Sequence, residues 1–166
     1  MTTGDIIALA AALAAIAAAI AAAWQAYLLR FSLKVESLFA VEKRFNEPEY
    51  RRSRHLAARQ LQMNRPESDV DDVLDFFDML GLLVRRGAID EEMVYHTFFY
   101  WVDGYWRAAT DVIQRERQKN ERVWEDLPRL YERLLAIENR EGVKRQEDVR
   151  EFLEYEVQQY EEEEDQ

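Results

Sequence analysis

The sequence contains no cysteine, and among its 166 residues it has only three prolines, five glycines and two histidines. The absence of cysteine excludes disulfide bonds, thiol catalysis and cysteine-ligated zinc or iron–sulfur sites. The few glycines are too widely spaced for a P-loop or a dinucleotide-binding fingerprint. No segment suggests the nucleophile, base and orienting group of a catalytic triad. We therefore expect no cofactor and no metal, and we favour a protein that is not an enzyme.

The overall composition favours helices. Apolar residues make up 48% of the chain and charged residues 33%, which is typical of a folded protein. Alanine, leucine, glutamate and arginine are abundant, and residues that interrupt helices are rare. The net charge of −11 argues against general nucleic-acid binding, which requires a basic surface. We predict an all-α protein that does not bind nucleic acid.

The chain begins with a long apolar segment. From Ile6 to Trp24 it has nineteen residues without a charge or a strongly polar side chain. As a helix this run is roughly 28 Å long, close to the hydrocarbon thickness of a bilayer. Trp24 and Tyr27 follow where an interfacial aromatic belt is expected. We predict that residues 1–29 form a transmembrane helix.

The charges that flank this segment predict its orientation. Only Asp5 precedes it, whereas Arg30, Lys34 and further basic residues follow it. Because basic residues are retained on the cytoplasmic side, the N-terminus should lie outside and the rest of the chain in the cytoplasm.

Three other interpretations of the segment were weighed. A secretory signal peptide normally has a basic start, and this chain starts Thr2-Thr3-Gly4-Asp5. A soluble coiled coil fits the alternating three- and four-residue spacing of the aliphatic residues, but its flanking positions would be charged rather than alanine. A buried helix of a small soluble domain is the third interpretation. The membrane span remains the preferred one.

The same segment predicts self-association. Alanines fill the positions between the larger aliphatic residues, and small residues let helices approach closely in lipid. The alternative is that the alanines reflect only the base composition of the genome. The candidate contact residues form one stripe and are Leu9, Leu13, Ile16 and Ile20.

The apolar stripe continues beyond the predicted span, through Leu28, Phe31, Val35 and Leu38. One helix is therefore expected from about Gly4 to Phe45, with residues 30–45 forming a stalk. The stalk would pack on the rest of the domain or on a second copy of the chain. Residues 46–160 are expected to form a cytoplasmic helical bundle, and residues 161–166 an acidic disordered tail.

Proline, glycine and capping residues divide the bundle into helices at about 48–63, 68–86, 90–119, 120–138 and from 146 onward. Ser68 and Asp71 predict a capping box at the start of the second of these. Gly87 predicts its left-handed stop. Pro128 predicts either a kink in the fourth helix or a true start near Asp126.

The helix predicted at 90–119 is unusually aromatic. Seven of the twelve residues from Tyr95 to Trp106 are tyrosine, phenylalanine or tryptophan, and all of them except Tyr100 lie on two adjacent apolar stripes. Aromatic residues dominate both protein cores and interaction hot spots. The core is the more common location, but a second protomer or another protein could cover one stripe. The candidate contact residues are Phe98, Phe99, Trp101 and Trp106.

Basic residues are concentrated in one part of this acidic chain. Between residues 30 and 60 there are eight basic and four acidic residues. Basic residues near a membrane attract anionic lipid headgroups, although the same charges could serve only to set orientation. The candidates for headgroup contact are Arg30, Lys34, Arg51, Arg52 and Arg54.

An enzyme or metal-binding bundle is the main alternative. Glu92 and His96 are one residue too far apart for the Glu-x-x-His pattern of a di-metal bundle. Asp75 and Asp78 could contribute a site together with His96 and Tyr100. The simpler interpretation is that Asp75 and Asp78 are solvated residues on the face of a helix.

One segment carries a family resemblance. The run Asp75-Phe76-Phe77-Asp78-Met79-Leu80-Gly81-Leu82-Leu83-Val84 is followed by Gly87-Ala88-Ile89-Asp90 and by the aromatic helix that ends near Trp106. This pattern resembles a bacterial family of small membrane-anchored all-helical proteins, catalogued as a domain of unknown function. The resemblance covers roughly residues 51–117 and the general form of the N-terminal span. It implies the topology but no activity and no functional residues.

The sequence thus predicts a membrane-tethered interaction or scaffold protein. Its expected partners are membrane lipid, a second copy of the chain and an unidentified cytoplasmic protein. The alternatives that remain are a helical-bundle enzyme or metal-binding protein, and a soluble coiled-coil assembly that uses the alanine-rich helix as its oligomer contact.

Overall fold

A computed structural model describes the backbone of residues 3–142 and 148–164, and the side chains of residues 3–4, 12–142 and 148–160. This part of the chain forms seven α-helices and contains no β-strand, which confirms the all-α prediction. The helices are α1 (Thr3–Phe45), α2 (Pro48–Gln62), α3 (Ser68–Arg85), α4 (Glu91–Ala108), α5 (Thr110–Lys119), α6 (Asp126–Glu141) and α7 (Val149–Glu164).

The chain divides into two compact units, residues 1–36 and residues 37–166. The first unit consists of the N-terminal part of α1. Every described side chain from residue 12 to residue 33 is exposed, including those of large apolar residues. The prediction of one helix from about Gly4 to Phe45 is confirmed.

The second unit is a helical bundle with an aromatic core. The last turns of α1 contribute Leu38, Val41 and Phe45 to this core. Phe45 is only 1% exposed, and its ring lies 5.3 Å from the rings of Phe76 and Phe98. Within this unit, α3 packs against α2 and α6, α4 packs against α6, and α7 packs against α2 and α4.

The start of α3 differs from the prediction. The expected capping box of Ser68 and Asp71 is absent, because the helix is capped at Glu67 without a side-chain hydrogen bond. Gln60 of α2 holds this turn instead. Its amide nitrogen donates to Asp69 at 2.7 Å, and its amide oxygen accepts from the backbone N–H of Glu67 at 3.1 Å. The left-handed stop at Gly87 is confirmed, with φ of 69°.

The helix predicted at 90–119 is interrupted. Residue Ala109 leaves helical geometry at φ −101° and ψ 11°, which separates α4 from α5. The Thr110 hydroxyl donates to the carbonyl oxygen of Trp106 at 2.8 Å, and such back-bonding by threonine bends helices. The break explains why a single 30-residue helix was the wrong prediction.

Helix α6 starts at Asp126, so the predicted start at Asn120 is wrong and the alternative start near Asp126 is confirmed. A carboxylate of α3 caps this start. Asp78 Oδ1 accepts from the backbone N–H groups of Asp126 at 2.7 Å and Leu127 at 3.0 Å. Asp75 accepts from Trp124 Nε1 at 2.7 Å just before the helix. Asp78 is half-buried, so its interpretation as a solvated surface acid is wrong, whereas Asp75 is exposed as expected and also hydrogen-bonds to Trp124.

An ion pair also joins α3 to the start of α6. The Arg85 guanidinium donates to both carboxylate oxygens of Asp126, at 2.6 and 3.0 Å. Gly81 permits this close approach, because a Cβ atom there would lie 2.6 Å from the Asp126 carbonyl oxygen. The hydrogen bond from Arg85 lowers the pKa of Asp126, although burial opposes the shift.

Helix α7 closes the bundle. It buries both Phe152 and Leu153, and the Phe152 ring lies where a side chain at position 104 would be, a position occupied by Gly104. The helix was predicted to start near residue 146, and residues 143–147 lie outside the described residues. The backbone stays helical to Glu164, so α7 enters the segment predicted to be a disordered tail.

The lowered pKa of Asp126 predicts how stability depends on pH. The Arg85–Asp126 pair should contribute fully above the unfolded-state pKa of 3.8 and be lost as the pH falls through the lower folded-state pKa. Replacing Arg85→Met should therefore reduce the free energy of unfolding at pH 7, and the difference from the unaltered protein should shrink below about pH 4. Chemical denaturation of both proteins across this pH range measures the difference in the free energy of unfolding. The control is Arg86→Met, which removes a neighbouring exposed charge. The prediction would be contradicted if the free energy of unfolding depended on pH in the same way for both variants.

Candidate functional site

The apolar face of the first unit is the most prominent surface of the protein. Leu13, Ile16 and Ile20 are 60%, 57% and 66% exposed. The side chain of Leu9 lies outside the described residues. Trp24 and Tyr27 are also exposed, and their ring centroids lie 5.9 Å apart.

Helix α1 contains an apolar window, within Ala12–Phe45, that is long and apolar enough to cross a membrane. A signal sequence or the core helix of a soluble protein can have the same length and composition. A core helix is mostly buried, however, whereas no part of this window is buried. The first unit therefore presents an apolar surface that nothing in the described chain covers.

The aromatic candidates divide into two pairs. Phe98 and Phe99 are 0% and 2% exposed, so their selection as partner contacts is corrected: they belong to the core. The Phe98 ring packs against Phe45 of α1 at 5.3 Å and Phe76 of α3 at 6.2 Å. Trp101 and Trp106 are half-buried.

Trp106 lies at an open groove between α5 and α6. Its ring stacks on Tyr131 with centroids 4.8 Å apart. The groove has a volume of about 830 Å³, and Trp106, Ile113 and Pro128 supply its apolar lining. Arginine and glutamate side chains alternate along the rest of it, so the groove has no dominant charge.

The basic candidates also differ in exposure. Arg30 and Arg52 are exposed, and Lys34 and Arg51 are half-buried. Arg54 is only 7% exposed, so its selection as a headgroup contact is corrected. Its position beside Arg51 and Arg52 suggested a surface residue, but a helix turns about 100° per residue, and Arg54 points into the bundle.

Arg54 belongs to a buried polar cluster that joins α2, α4 and α7. Its Nε lies 3.3 Å from Oε2 of Glu156, and the two side chains are 9% and 1% exposed. Trp101 Nε1 donates to the other oxygen of Glu156 at 3.0 Å. The Tyr105 hydroxyl lies 2.9 Å from Glu156 Oε2 and 3.0 Å from the carbonyl oxygen of Arg54.

Aromatic rings complete the surroundings of Arg54. Its guanidinium carbon lies 4.1 Å from the centre of the Phe45 ring and 5.5 Å from that of Trp101, within the range of cation–π attraction. Burial and the negative charge of Glu156 raise the pKa of Tyr105 well above its usual value. Tyr105 therefore stays protonated and can keep donating to the carboxylate.

The cluster joins α7 to α2 and α4, and its polar atoms are directed toward one another, although Arg54 Nε and Nη1 are buried without a hydrogen bond. Both oxygens of Glu156 have protein donors, and the cluster lies in the core. Glu156 is not among the residues predicted from the sequence, although one signal was available. In α7 it follows the buried Phe152 by four residues, and a charge at an inward position of a helix requires a buried partner.

The residues of the enzyme alternative have separate partners. Asp75 and Asp78 bind Trp124 and the start of α6, whereas His96 is mostly exposed and lies 4.0 Å from Glu141. Tyr100 packs against the Phe152 ring at 5.4 Å. Among the described residues, no group of three or more histidine, aspartate or glutamate side chains is arranged to hold a metal ion.

The buried pair predicts a distinct pattern of stability changes. Replacing Arg54→Met should leave Glu156 buried without its countercharge and lower the free energy of unfolding by about 3–5 kcal/mol. The double replacement Arg54→Met with Glu156→Met should recover most of this loss, because no unpaired charge remains. Chemical denaturation in a mild detergent, followed by circular dichroism, measures the three values.

The matched control is the exposed pair Arg150–Glu154, which lies on the same helix α7. Replacing Glu154→Gln should change the free energy of unfolding by less than about 1 kcal/mol, as is typical of exposed ion pairs. The interpretation would be contradicted if Arg54→Met had as small an effect as this control, or if the double variant were no more stable than Arg54→Met alone.

Comparison with known proteins gives one match. A family model described as a domain of unknown function, DUF4760, matches residues 6–134. No curated protein and no solved structure matches the chain. The matched residues include Arg54, Trp101 and Tyr105, whereas helix α7 with Glu156 follows them. Because the model covers most of the chain, this protein belongs to the DUF4760 family of domains of unknown function.

Proposed function

We propose that this protein is a single-span membrane protein whose helix α1 anchors and pairs copies of the chain, while its helical bundle binds partners in the cytoplasm. The observation that carries the proposal is the uncovered apolar surface of α1 between residues 12 and 33. Asp75, Asp78, His96 and Tyr100, the residues of the enzyme alternative, have separate partners, so we favour an interaction or scaffold role.

The energetics support lipid as the environment of this surface. Transferring a leucine or isoleucine side chain out of water is favourable by about 1.5–3 kcal/mol, and Leu13, Ile16 and Ile20 each contribute such a term. The backbone N–H and C=O groups within a helix are already paired, as the hydrocarbon interior requires. Alanine contributes less per residue, so the larger aliphatic side chains supply much of the driving force.

The residues that follow the apolar segment support a membrane–water interface at its C-terminal end. Trp24 and Tyr27 have the amphipathic rings that are enriched at headgroup level. Arg30 comes next, and Lys34, Lys43 and Arg44 continue the basic side. Because the opposite end carries only Asp5, the proposed orientation has the N-terminus outside and residues 30–166 in the cytoplasm.

Self-association is the second part of the proposal. Leu13, Ile16 and Ile20 lie on one face of α1, and alanines occupy most of the intervening positions. In lipid, helix pairing depends on close packing rather than on removal of water, and alanine permits that packing. A second copy of the same helix offers a matching surface, as in most symmetric dimers.

The first test is membrane association. The full chain should remain in the membrane pellet after alkaline carbonate extraction and keep its N-terminal residues. Replacing both Ile16→Arg and Ile20→Arg should shift the chain to the soluble fraction, because each arginine at the centre of a span costs about 2.5–3.5 kcal/mol.

The matched control replaces two exposed apolar residues of the second unit, Leu82→Arg and Tyr155→Arg, and should stay in the pellet. A full chain that washes off the membrane would contradict the anchor. Loss of roughly the first 30 residues would instead identify the segment as a cleaved signal sequence. That result would also contradict the proposal.

The second test concerns self-association. Because the chain has no cysteine, a single introduced cysteine reports on one position without interference. After isolated membranes are treated with a copper–phenanthroline oxidant, which accepts the two electrons, Ile20→Cys should form a disulfide-linked dimer, whereas Ala22→Cys, on the opposite side of the helix, should not. Non-reducing electrophoresis measures the dimer fraction. Equal dimer fractions for both variants, or none for either, would remove self-association through this face.

A further inference from the structure

The outer face of α2 combines exposed arginines with apolar side chains. Arg52, Leu56, Arg59 and Met63 recur at the spacing of one helical face, with Met63 as the C-terminal cap of the helix. Arg52 and Arg59 are exposed, Leu56 is half-buried, and Met63 is 58% exposed. These four residues are called the outer face of α2 below.

The two arginines of this face form no ion pair within the part of the chain whose side chains are described. Among the described residues, no carboxylate oxygen lies within 4.0 Å of the guanidinium group of Arg52 or Arg59. By contrast, Arg54 on the inner side of the same helix is paired with Glu156. Exposed arginines without an ion-pair partner are free to bind an external anion.

Two nearby acids, Asp69 and Glu154, lie at the edges of the face and have partners of their own. On one edge, Asp69 accepts from Gln60 at 2.7 Å. Near the C-terminal end of α2, Glu154 of α7 pairs with Arg150 at 3.3 Å. From Arg52 to Met63 the outer face carries two positive and no negative side chains, and the exposed Glu49 lies one turn before Arg52 on the same side of the helix.

We propose that the outer face of α2 rests on an anionic lipid surface, with Arg52 and Arg59 bound to lipid phosphates and Met63 inserted between headgroups. This inference rests on the proposed membrane anchor and names a second contact of the same protein with the bilayer. A basic and apolar helix face is the pattern of helices that lie in the membrane interface.

The mixed chemistry of the face favours lipid over other anions. Nucleic acid requires an extended basic surface, which this acidic chain does not have. A free phosphate would engage the arginines but gain nothing from Met63. An anionic bilayer offers phosphates above an apolar layer, so it satisfies both kinds of side chain, and its negative potential attracts each arginine.

A fluorescence experiment with the full chain tests this contact. A single cysteine, Met63→Cys, is labelled with an environment-sensitive dye, and the chain is reconstituted into lipid nanodiscs of phosphatidylcholine, with or without about 30% phosphatidylglycerol. In the anionic discs only, the emission maximum of the dye should shift to shorter wavelength. Spin-labelled lipid should quench the dye only in those discs. The matched control is the same dye at Glu132→Cys, an exposed position on α6, which should not respond.

The arginines should control the response. Replacing Arg52→Gln and Arg59→Gln should abolish the shift, and about 0.5 M salt should reduce it in the parent chain by screening the charges. Circular dichroism establishes that the variant keeps its helix content, and the salt measurement tests the contact without any arginine replacement.

The outcomes separate the two proposals. A chain that does not enter nanodiscs contradicts the membrane anchor. A chain that enters them while the dye at position 63 responds equally in neutral and anionic discs, or in neither, overturns the lipid contact of α2 and leaves the anchor standing. A response that survives both salt and the arginine replacements also overturns it.

Discussion

The exposure of apolar side chains on α1 is the constraint on which the rest of this account depends. A helix whose side chains from residue 12 to residue 33 are all exposed, and which carries no charge between Ile6 and Trp24, is unfavourable in water. We propose that a bilayer, a second helix or both surround it. The environment of this helix decides where the chain lies and how it is oriented. It also decides whether the basic residues after the helix lie near lipid headgroups.

The second unit obeys a different constraint, which is the pairing of charge inside a core. Arg54 and Glu156 are buried together, and Trp101 and Tyr105 satisfy the carboxylate. The pair joins α2 to α7, a helix that follows the residues matched by the family model. Replacing such a pair by apolar residues is often neutral, so its value lies in fixing how α7 docks rather than in net stability.

Much of the fold could be predicted from the sequence, because helix boundaries depend on local signals. The full length of α1 and the stop at Gly87 were predicted from spacing and capping. Contacts between distant segments could not be predicted in this way. The capping of α6 by Asp78 joins residues 48 positions apart, and nothing local distinguishes that carboxylate from a solvated one.

The candidate surfaces were predicted less well for the same reason. Composition located the apolar helix and the basic region, but the direction of each side chain depends on packing. Arg52 is exposed and Arg54 is buried, although two positions separate them. The most direct test is to place single cysteines at successive alanines from Ala12 to Ala23 and label intact vesicles with a membrane-impermeant maleimide. A lipid-embedded helix predicts no labelling on any face until detergent is added, whereas labelling that recurs with the helical period would show water along one side and contradict the account.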